Sequence, residues 1–310
     1  MLFPKNIYNK LGFDQVIDFA KNHCETELGK SIHTQVKYTN QSDILFLRLE
    51  QTKEALEILE NAKLNVFLPL DFDLHEKTAH IEGFFYEIES IQEISDFLVS
   101  AKKVDDFFRN NLDEYPNLSS VFKDVGIDYT LIDQIDQILD PEGKIKPSAT
   151  PKLRKIHNEI KKLESNILKS SNNIFLKAKE KGLLANTKLS IKNGRVVLPV
   201  LSEFKRKVNG VLIDQSGTGK ISYIEPMEIV GLNNDLSELQ IKKRQEIITI
   251  LKKISQQIVL NLREIKKARK NLAFYDFVRS KARLASDWKC VLPKFDSFTN
   301  VINSKHPLLK

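Results

Sequence analysis

The sequence of 310 residues is poor in cysteine and has no long apolar segment. Its two cysteines, Cys24 and Cys290, lie far apart and at no metal-binding spacing, which is typical of proteins from a reducing compartment. No apolar run approaches the ~20 residues that cross a membrane. The first residues also lack the charged-then-apolar pattern of a secretion signal. These absences predict a cytoplasmic protein with no membrane partner.

Patterns that support catalysis or metal binding are absent as well. The six histidines form no i, i+4 pair and no cluster with cysteine, so each is expected to be a surface or core residue. No G-x-S-x-G nucleophile pattern occurs. The segment SGTGK at 216–220 resembles a phosphate loop, but a Walker A motif needs Gly at 214 and Ser or Thr at 221, where this chain has Asp214 and Ile221. We therefore predict no catalytic residue, no metal and no cofactor site in this chain, and a β-turn at SGTGK.

The basic and acidic residues are divided unevenly along the chain. Residues 1–150 contain 15 Lys and Arg and 27 Asp and Glu, a net charge of −12. Residues 151–310 contain 33 and 14, a net charge of +19. Balanced charges would serve solubility equally well, so the split favours a polyanionic partner, nucleic acid. The alternative is that long exposed helices are simply rich in lysine.

Residues 1–150 have the pattern of a helical domain. Apolar residues recur at amphipathic spacing in the segments 11–24, 42–63 and 90–110. Proline and glycine lie between these segments, as expected of connecting loops.

Two long helices are predicted after this domain. Thr150 followed by Pro151 has the form of a capped helix start, and apolar residues in steps of three and four give residues 151–182 a coiled-coil seam that ends at Gly182. A second seam over residues 233–285 begins at Asp235 and Glu238, which resemble a capping box. Residues 232–292 contain no glycine or proline. We expect the helices to pair antiparallel, the second to dock onto the first domain, and residues 286–310 to form a linker.

The segment between the helices, residues 183–232, predicts a small antiparallel β unit. Asn193-Gly194 is a strong signal for a type I′ hairpin turn, and Ser216–Gly219 separates two further strands. The predicted fold is therefore mainly α, with a long antiparallel coiled-coil arm that carries a β tip.

Cations surround the predicted turns of this tip, with few acidic residues nearby. Such cations could follow phosphates without reading bases, although a solvated loop is the alternative. The predicted tip contains few aromatic residues, which argues against a platform for base stacking. Lysine and arginine clusters on the second helix could line a channel or could be solvent-facing flanks of a coiled coil. The candidate nucleic-acid-binding residues are Lys192, Arg195, Lys205, Arg206, Lys207 and Lys220.

Several motifs, in order along nearly the whole chain, resemble the MutS family, and most closely its MutS-two branch. They are LGFD (11–14), LEQTKEA (49–55), DPEG (140–143), SATPKLRKI (148–156), IKNGRVVLPV (191–200), DQSGTGKISYIEP (214–226), LNN (232–234) and KHPLL (305–309). The chain departs from many relatives at Ile213, where they have histidine, which leaves the subgroup open. The resemblance implies a helical core or lever domain interrupted by a clamp, with residues 183–232 as the clamp tip.

The resemblance also implies a function. Members of the family bind nucleic acid within a dimeric ring, and MutS-two proteins bind branched DNA and restrain recombination. KHPLL would lead into an ATPase domain that uses ATP and magnesium, often followed by a nuclease-type Smr domain. We therefore expect a fragment that is not itself an enzyme, from a homodimeric ATPase parent. The alternatives are an arm that binds ribosomal RNA in the rescue of collided ribosomes, and a structural coiled-coil adaptor.

Overall fold

Helices dominate the computed structural model of this chain, which describes Pro4, residues 6–295, Phe298 and residues 300–309. In this part of the chain the helices are accompanied by a single four-stranded antiparallel sheet, so the predicted fold class is confirmed. No described helix combines the length and the apolar character that crossing a membrane requires. Contacts divide the chain into unit 1, Met1–Asp136 with Lys252–Lys310, and unit 2, Gln137–Leu251.

The secondary structure follows the chain in a simple order. The α-helices are α1 (Ile7–Lys10), α2 (Phe13–Asn22), α3 (Glu27–His33), α4 (Ser42–Glu60), α5 (Ile88–Asn110), α6 (Pro116–Phe122), α7 (Thr130–Ile138), α8 (Pro151–Glu180), α9 (Met227–Leu260) and α10 (Leu262–Asp287). The strands are β1 (Ser190–Lys192), β2 (Arg195–Leu201), β3 (Gly210–Gln215) and β4 (Ile221–Pro226), and a 3-10 helix covers Ser202–Lys207.

Unit 1 is built around α10. This helix contacts α2, α3, α4, α5 and α6, and it buries apolar side chains on several faces, including Ile265, Leu272 and Val278. A helix that is apolar on most sides belongs in a core. The last part of the second long helix therefore packs against helices of the first part of the chain.

A buried carboxylate on α10 fixes the start of α3. Asp276 is fully buried and accepts hydrogen bonds from the backbone N–H groups of Glu25 and Thr26 and from the Thr26 hydroxyl, at 2.8–3.2 Å. Arg279 contributes an ion pair to the same carboxylate at 3.2 Å. A negative charge at a helix N-terminus is favourable because the first N–H groups have no partner within the helix. This network is a structural anchor of unit 1.

The helical part of unit 2 is a seam between α8 and the first part of α9. Thr150 caps α8, since its hydroxyl accepts a hydrogen bond from the N–H of Leu153 at 3.0 Å, as predicted. Near this end Lys152 pairs with Glu246 of α9 at 2.8 Å, so the two helices run antiparallel. Their shared apolar cluster contains Ile156, Ile160, Ile167 and Leu236, with Leu163, Leu232 and Leu239 packed against it.

Two details of the second long helix differ from the prediction. The helix begins at Met227, directly after β4, so the predicted capping box at Asp235 is wrong and lies inside α9. An acidic residue at i and i+3 suits a helix interior as well as a helix start, and the sequence pattern does not separate the two. The helix is also interrupted at Asn261. The Asn261 side-chain amide donates a hydrogen bond to the Gln257 carbonyl at 3.0 Å. Its backbone N–H is shared between the carbonyls of Ile258 at 3.1 Å and Gln257 at 3.3 Å.

The sheet in unit 2 has the order β1-β2-β4-β3, with each neighbouring pair antiparallel. Asn193 and Gly194 both have positive φ, 51° and 75°, which confirms the predicted I′-type turn between β1 and β2. The N–H of Gly219 donates to the Ser216 carbonyl at 2.8 Å, so SGTGK forms the turn between β3 and β4.

One feature of the sheet was not predicted. Because β2 and β3 lie on opposite sides of β4, the chain between them crosses β4, and the 3-10 helix Ser202–Lys207 forms the first part of this crossover. The sheet core of Leu198, Val200 and Ile224 packs against α8 through Ile174 and Phe175, and against the crossover through Phe204 and Val208. The small sheet therefore gains the apolar partner that it needs for stability.

Candidate nucleic-acid interface

The six predicted cations do not form one cluster. Lys192 and Arg195 flank the β1–β2 turn, and Lys220 lies on the β3–β4 turn at the opposite end of the sheet. Strand β2 separates these ends by about 20 Å at ~3.3 Å per residue. Lys205, Arg206 and Lys207 lie on the crossover rather than on a hairpin turn.

Arg195 is held in an internal ion pair. Its guanidinium donates two hydrogen bonds to Glu225, at 2.8 and 2.9 Å, and a third to the side-chain oxygen of Asn234 at 2.8 Å. The Glu225 side chain is 1% exposed and also accepts from Asn233 at 2.7 Å. Because a buried carboxylate needs such partners, Arg195 ties the end of the sheet to the start of α9.

Lys192 is also engaged, though less deeply. Its Nζ lies 3.3 Å from the carboxylate of Asp214 on β3 and 4.6 Å from the ring centroid of Tyr223 on β4. The side chain is 37% exposed. Its charge is therefore partly balanced within the sheet.

The crossover presents a different arrangement. Lys205, Arg206 and Lys207 are exposed, and among the described residues none has a carboxylate within 4.0 Å. Lys207 lies over the ring of Phe204 at 4.8 Å from the centroid, which is a cation–π contact. The half-buried Phe204 packs toward the sheet core and fixes the crossover in place. These three positive charges remain available to a partner.

Lys220 adds a fourth exposed cation, and it too has no carboxylate partner within the described part of the chain. The N–H of Ser202 donates to the Lys220 carbonyl at 3.0 Å, and the Ser202 hydroxyl donates to the Gly219 carbonyl at 2.6 Å. The turn and the start of the crossover therefore lie side by side. We call Lys205, Arg206, Lys207 and Lys220 the basic surface.

Three further cations, at the end of α8, were missed by the sequence analysis. The N–H of Leu201 donates to the Leu183 carbonyl at 3.0 Å, and the N–H of Ala185 donates to the Pro199 carbonyl at 2.9 Å. These bonds bring the end of α8 to the same end of the sheet as Lys220. The sequence K-A-K-E-K-G before the turn was the signal available, since lysines often complement the C-terminal end of a helix. The additional exposed residues are Lys177, Lys179 and Lys181.

Four cations in the clusters on the second long helix have acceptors inside the protein. Lys242 pairs with Glu238 in unit 2 at 2.7 Å. In unit 1, Lys266 pairs with Glu76 at 2.7 Å, Lys267 donates to the Asp124 carbonyl at 2.5 Å, and Arg269 donates to the Leu70 carbonyl at 2.8 Å. For these four residues the contacts favour a structural role over the lining of a channel.

The chemistry available at the basic surface is electrostatic. Its lysines and arginine supply long side chains with hydrogen-bond donors. The SGTGK turn joins the antiparallel strands β3 and β4, and no helix follows it directly as in a phosphate loop. Among the described residues no group of three or more His, Cys, Asp or Glu side chains could hold a metal ion. The arrangement suits contact with an extended anion.

Comparison with known proteins supports the motif-based assignment, although no family model matches the chain. The chain is 33% identical over 312 residues to endonuclease MutS2 of Agathobacter rectalis, an alignment that covers 98% of this chain and 39% of the relative. It is 28% identical over 311 residues to endonuclease MutS2 of Halothermothrix orenii, covering 97% and 39%. The match to the Carboxydothermus hydrogenoformans protein of the same name is 27% over 306 residues, covering 97% and 38%. The chain thus spans about two fifths of these relatives' length, and the predicted resemblance to the MutS-two branch of the MutS family is confirmed over nearly all of the chain.

Proposed function

We propose that this chain is a nucleic-acid-binding portion of a MutS-two-type protein, and that its basic surface contacts the phosphate backbone of DNA. The observation that supports this most directly is the contrast among the cations. Lys205, Arg206, Lys207 and Lys220 are exposed and without a carboxylate partner in the described part of the chain, whereas Arg195 and Lys192 are engaged inside the sheet.

The proposed contacts follow the backbone and do not read bases. The aromatic rings of the β unit, Phe204 and Tyr223, are half-buried and lie beneath Lys207 and Lys192, so neither offers a free face for base stacking. Lysine and arginine contacts to phosphates position a protein without conferring sequence specificity. Affinity should therefore vary little with sequence and should fall as salt is raised.

We further propose that the preferred DNA is branched and that binding restrains recombination, as the MutS-two resemblance implies. In this proposal the chain grips DNA and is not itself an enzyme. The activity named by the relatives' title, endonuclease, and the use of ATP and magnesium would then belong to the part of such proteins that this chain does not match. A homodimer would complete a ring around the DNA.

Neutral substitution of the basic surface tests the proposal. The variant Lys205→Gln, Arg206→Gln, Lys220→Gln should bind a fluorescent four-way junction on the order of 100-fold more weakly than the unaltered 310-residue chain at low salt, because three phosphate contacts and their released counterions are lost. Fluorescence anisotropy measures both affinities. Unchanged affinity would contradict the proposal.

A matched control removes three charges elsewhere in unit 2. Lys144 is in an exposed ion pair with Glu142, and Lys155 and Lys161 are exposed on α8. The variant Lys144→Gln, Lys155→Gln, Lys161→Gln has the same net charge as the test variant and should lose less than roughly threefold in affinity, since surface substitutions away from a contact have small effects. An equal loss in both variants would mean that net charge, and not the basic surface, carries binding.

A second measurement distinguishes DNA from ribosomal RNA, which presents the same phosphate chemistry. Co-sedimentation of the chain with stalled ribosomes should be weaker than junction binding at matched salt. Strong co-sedimentation that the triple variant abolishes, with junction binding unaffected, would replace DNA by the ribosome as the target.

A further inference from the structure

Unit 1 contains a cavity that the nucleic-acid proposal does not use. Its volume is about 550 Å³, and it is bounded by α2, the end of α3, the start of α4 and α10. The walls are mostly apolar and include Val16, Ile17, Phe277 and Leu284. Cavities of this size and character are typical of small-molecule sites.

Lys37, Arg48 and Lys281 line this apolar cavity, and Arg48 and Lys281 have no anionic partner in the described part of the chain. Lys281 is half-buried on α10 with its Nζ 4.7 Å from the ring centroid of Phe277, and Arg48 is exposed on α4 with its Cζ 4.5 Å from that of Phe274. All the residues that line the cavity are described, and none is an aspartate or glutamate. Neither cation has a carboxylate within 4.0 Å in the described part of the chain.

The position of Lys281 is electrostatically unfavourable. Burial and, to a smaller extent, repulsion from Arg48 together lower the pKa of Lys281 to about 8. A cation that has left water gains most from an opposite charge close by. On α10 itself, Arg279 and Arg283 both have carboxylate partners, whereas the half-buried Lys281 has none within 4.0 Å among the described residues.

We propose that the cavity binds a small amphipathic anion, with a carboxylate or phosphate head between Arg48 and Lys281 and an apolar body against α2 and α10. The two cations supply charge complementarity at one side, and the apolar walls exclude the highly hydrated backbone of a nucleic acid. This site lies in unit 1 and is independent of the basic surface in unit 2.

Binding can be measured with simple probes on the 310-residue chain. Octanoate, octyl phosphate and octanol share an apolar body and differ in head group, and each is used below the concentration at which it forms micelles. We expect at least one of the two anions to bind at least tenfold more tightly than octanol by isothermal titration calorimetry. The tighter anion identifies the head group. Equal binding of all three probes, or none, would overturn the proposal.

A variant locates the binding. Lys281→Met keeps the length of the side chain and removes its charge, so it should abolish the preference for the anion. It should also leave the free protein at least as stable as before, because an unpaired, half-buried charge is replaced by an apolar group. The control Lys30→Met removes a partly exposed lysine of α3 that pairs with Glu27 and should leave the preference intact. Persistence of the preference in Lys281→Met would contradict the site.

Discussion

The cations of α10 in unit 1 and those of the β unit in unit 2 resemble each other in sequence and differ in what they contact. On α10, Lys266, Arg279 and Arg283 have carboxylate partners, and Lys267 and Arg269 donate to backbone carbonyls. In the β unit, the four residues of the basic surface have no such partner among the described residues. A run of lysine and arginine therefore identifies an interface only when the acidic groups around it are known.

The overall charges of the two units agree with this difference. Unit 2 contains 21 Lys and Arg and 12 Asp and Glu, a net charge of +9, while unit 1 contains 27 and 29, a net charge of −2. Unit 1 thus has nearly equal numbers of basic and acidic residues, although Arg48 and Lys281 lack a carboxylate within 4.0 Å in the described part of the chain, and unit 2 retains a basic excess. We expect substitutions in unit 1 cations and their partners to change stability, and substitutions on the basic surface to change binding.

The largest predicted effect is at Asp276. Asp276→Asn should lower the free energy of unfolding of unit 1 by about 3–5 kcal/mol, because the N–H groups and the Thr26 hydroxyl before α3 lose an ionised acceptor and the buried Arg279 keeps only Glu25 as a carboxylate partner. Urea unfolding followed by the fluorescence of the single tryptophan, Trp288 in unit 1, measures this. As a control, Asp287→Asn near the end of the same helix, at an exposed position, should cost less than ~0.5 kcal/mol. Equal losses of unfolding free energy in the two variants would contradict the structural role of the Asp276 network.

The second effect is a pH dependence confined to unit 1. Burial lowers the pKa of His33 from 6.5 to about 4, with repulsion from Lys281 and Lys21 in the same direction, and its Nε2 lies 2.8 Å from the Ser280 hydroxyl. Between these pKa values the unfolded chain binds a proton that the folded chain does not, so stability falls as pH drops from about 6.5 to about 4. The stability advantage of the wild type over His33→Gln should shrink by about 3 kcal/mol across this window. A constant advantage would mean that His33 is protonated in the folded protein at pH 6.

The third prediction concerns Arg195, a predicted site residue that donates three hydrogen bonds within unit 2. Arg195→Gln should destabilise unit 2 by about 2–3 kcal/mol, because Glu225 would remain buried without its bidentate partner. Hydrogen exchange of the β4 amides should accelerate on the order of 100-fold. Arg206→Gln should leave exchange unchanged. Unchanged hydrogen exchange of the β4 amides in Arg195→Gln, together with weaker DNA binding, would instead indicate that Arg195 contacts DNA.

The smallest effect is at the β1–β2 turn. Gly194 has φ of 75° and open space around it, so Gly194→Ala introduces backbone strain without a steric clash and should cost about 1 kcal/mol in unit 2. Gly217→Ala, also in open space and without positive φ, should be neutral. Hydrogen exchange of β2 amides compares the two. Equal costs would indicate that the turn conformation is not what constrains residue 194.

Local patterns in the sequence were sufficient to predict much of the fold. The Thr150 cap, the α8 seam and the Asn193-Gly194 turn depend on residues close together in the chain, and these predictions are confirmed. The start of α9 and the interruption at Asn261 were not predicted, because both depend on how the helix meets β4 and on a side chain that competes for backbone hydrogen bonds.

The site was harder to predict than the fold. The composition showed that the β unit is basic, but it did not show which cations are paired. Arg195 and Glu225 lie thirty residues apart in the chain and meet only because β2 pairs with β4. The crossover that carries Lys205 to Lys207 follows from the strand order, which the sequence pattern does not specify. The lysines at the end of α8 lie at the same end of the sheet as Lys220 because Leu183 and Ala185 form backbone hydrogen bonds with β2.

The salt dependence of DNA binding is the most direct test of the claim that the basic surface carries the contact. The logarithm of the association constant for a four-way junction should fall linearly with the logarithm of salt concentration. Replacing Lys205, Arg206 and Lys220 by glutamine should reduce the magnitude of that slope by about 2.7, since each phosphate contact contributes ~0.9. The control substitutions at Lys144, Lys155 and Lys161 should leave it unchanged. A slope that is the same in all three proteins would contradict the account.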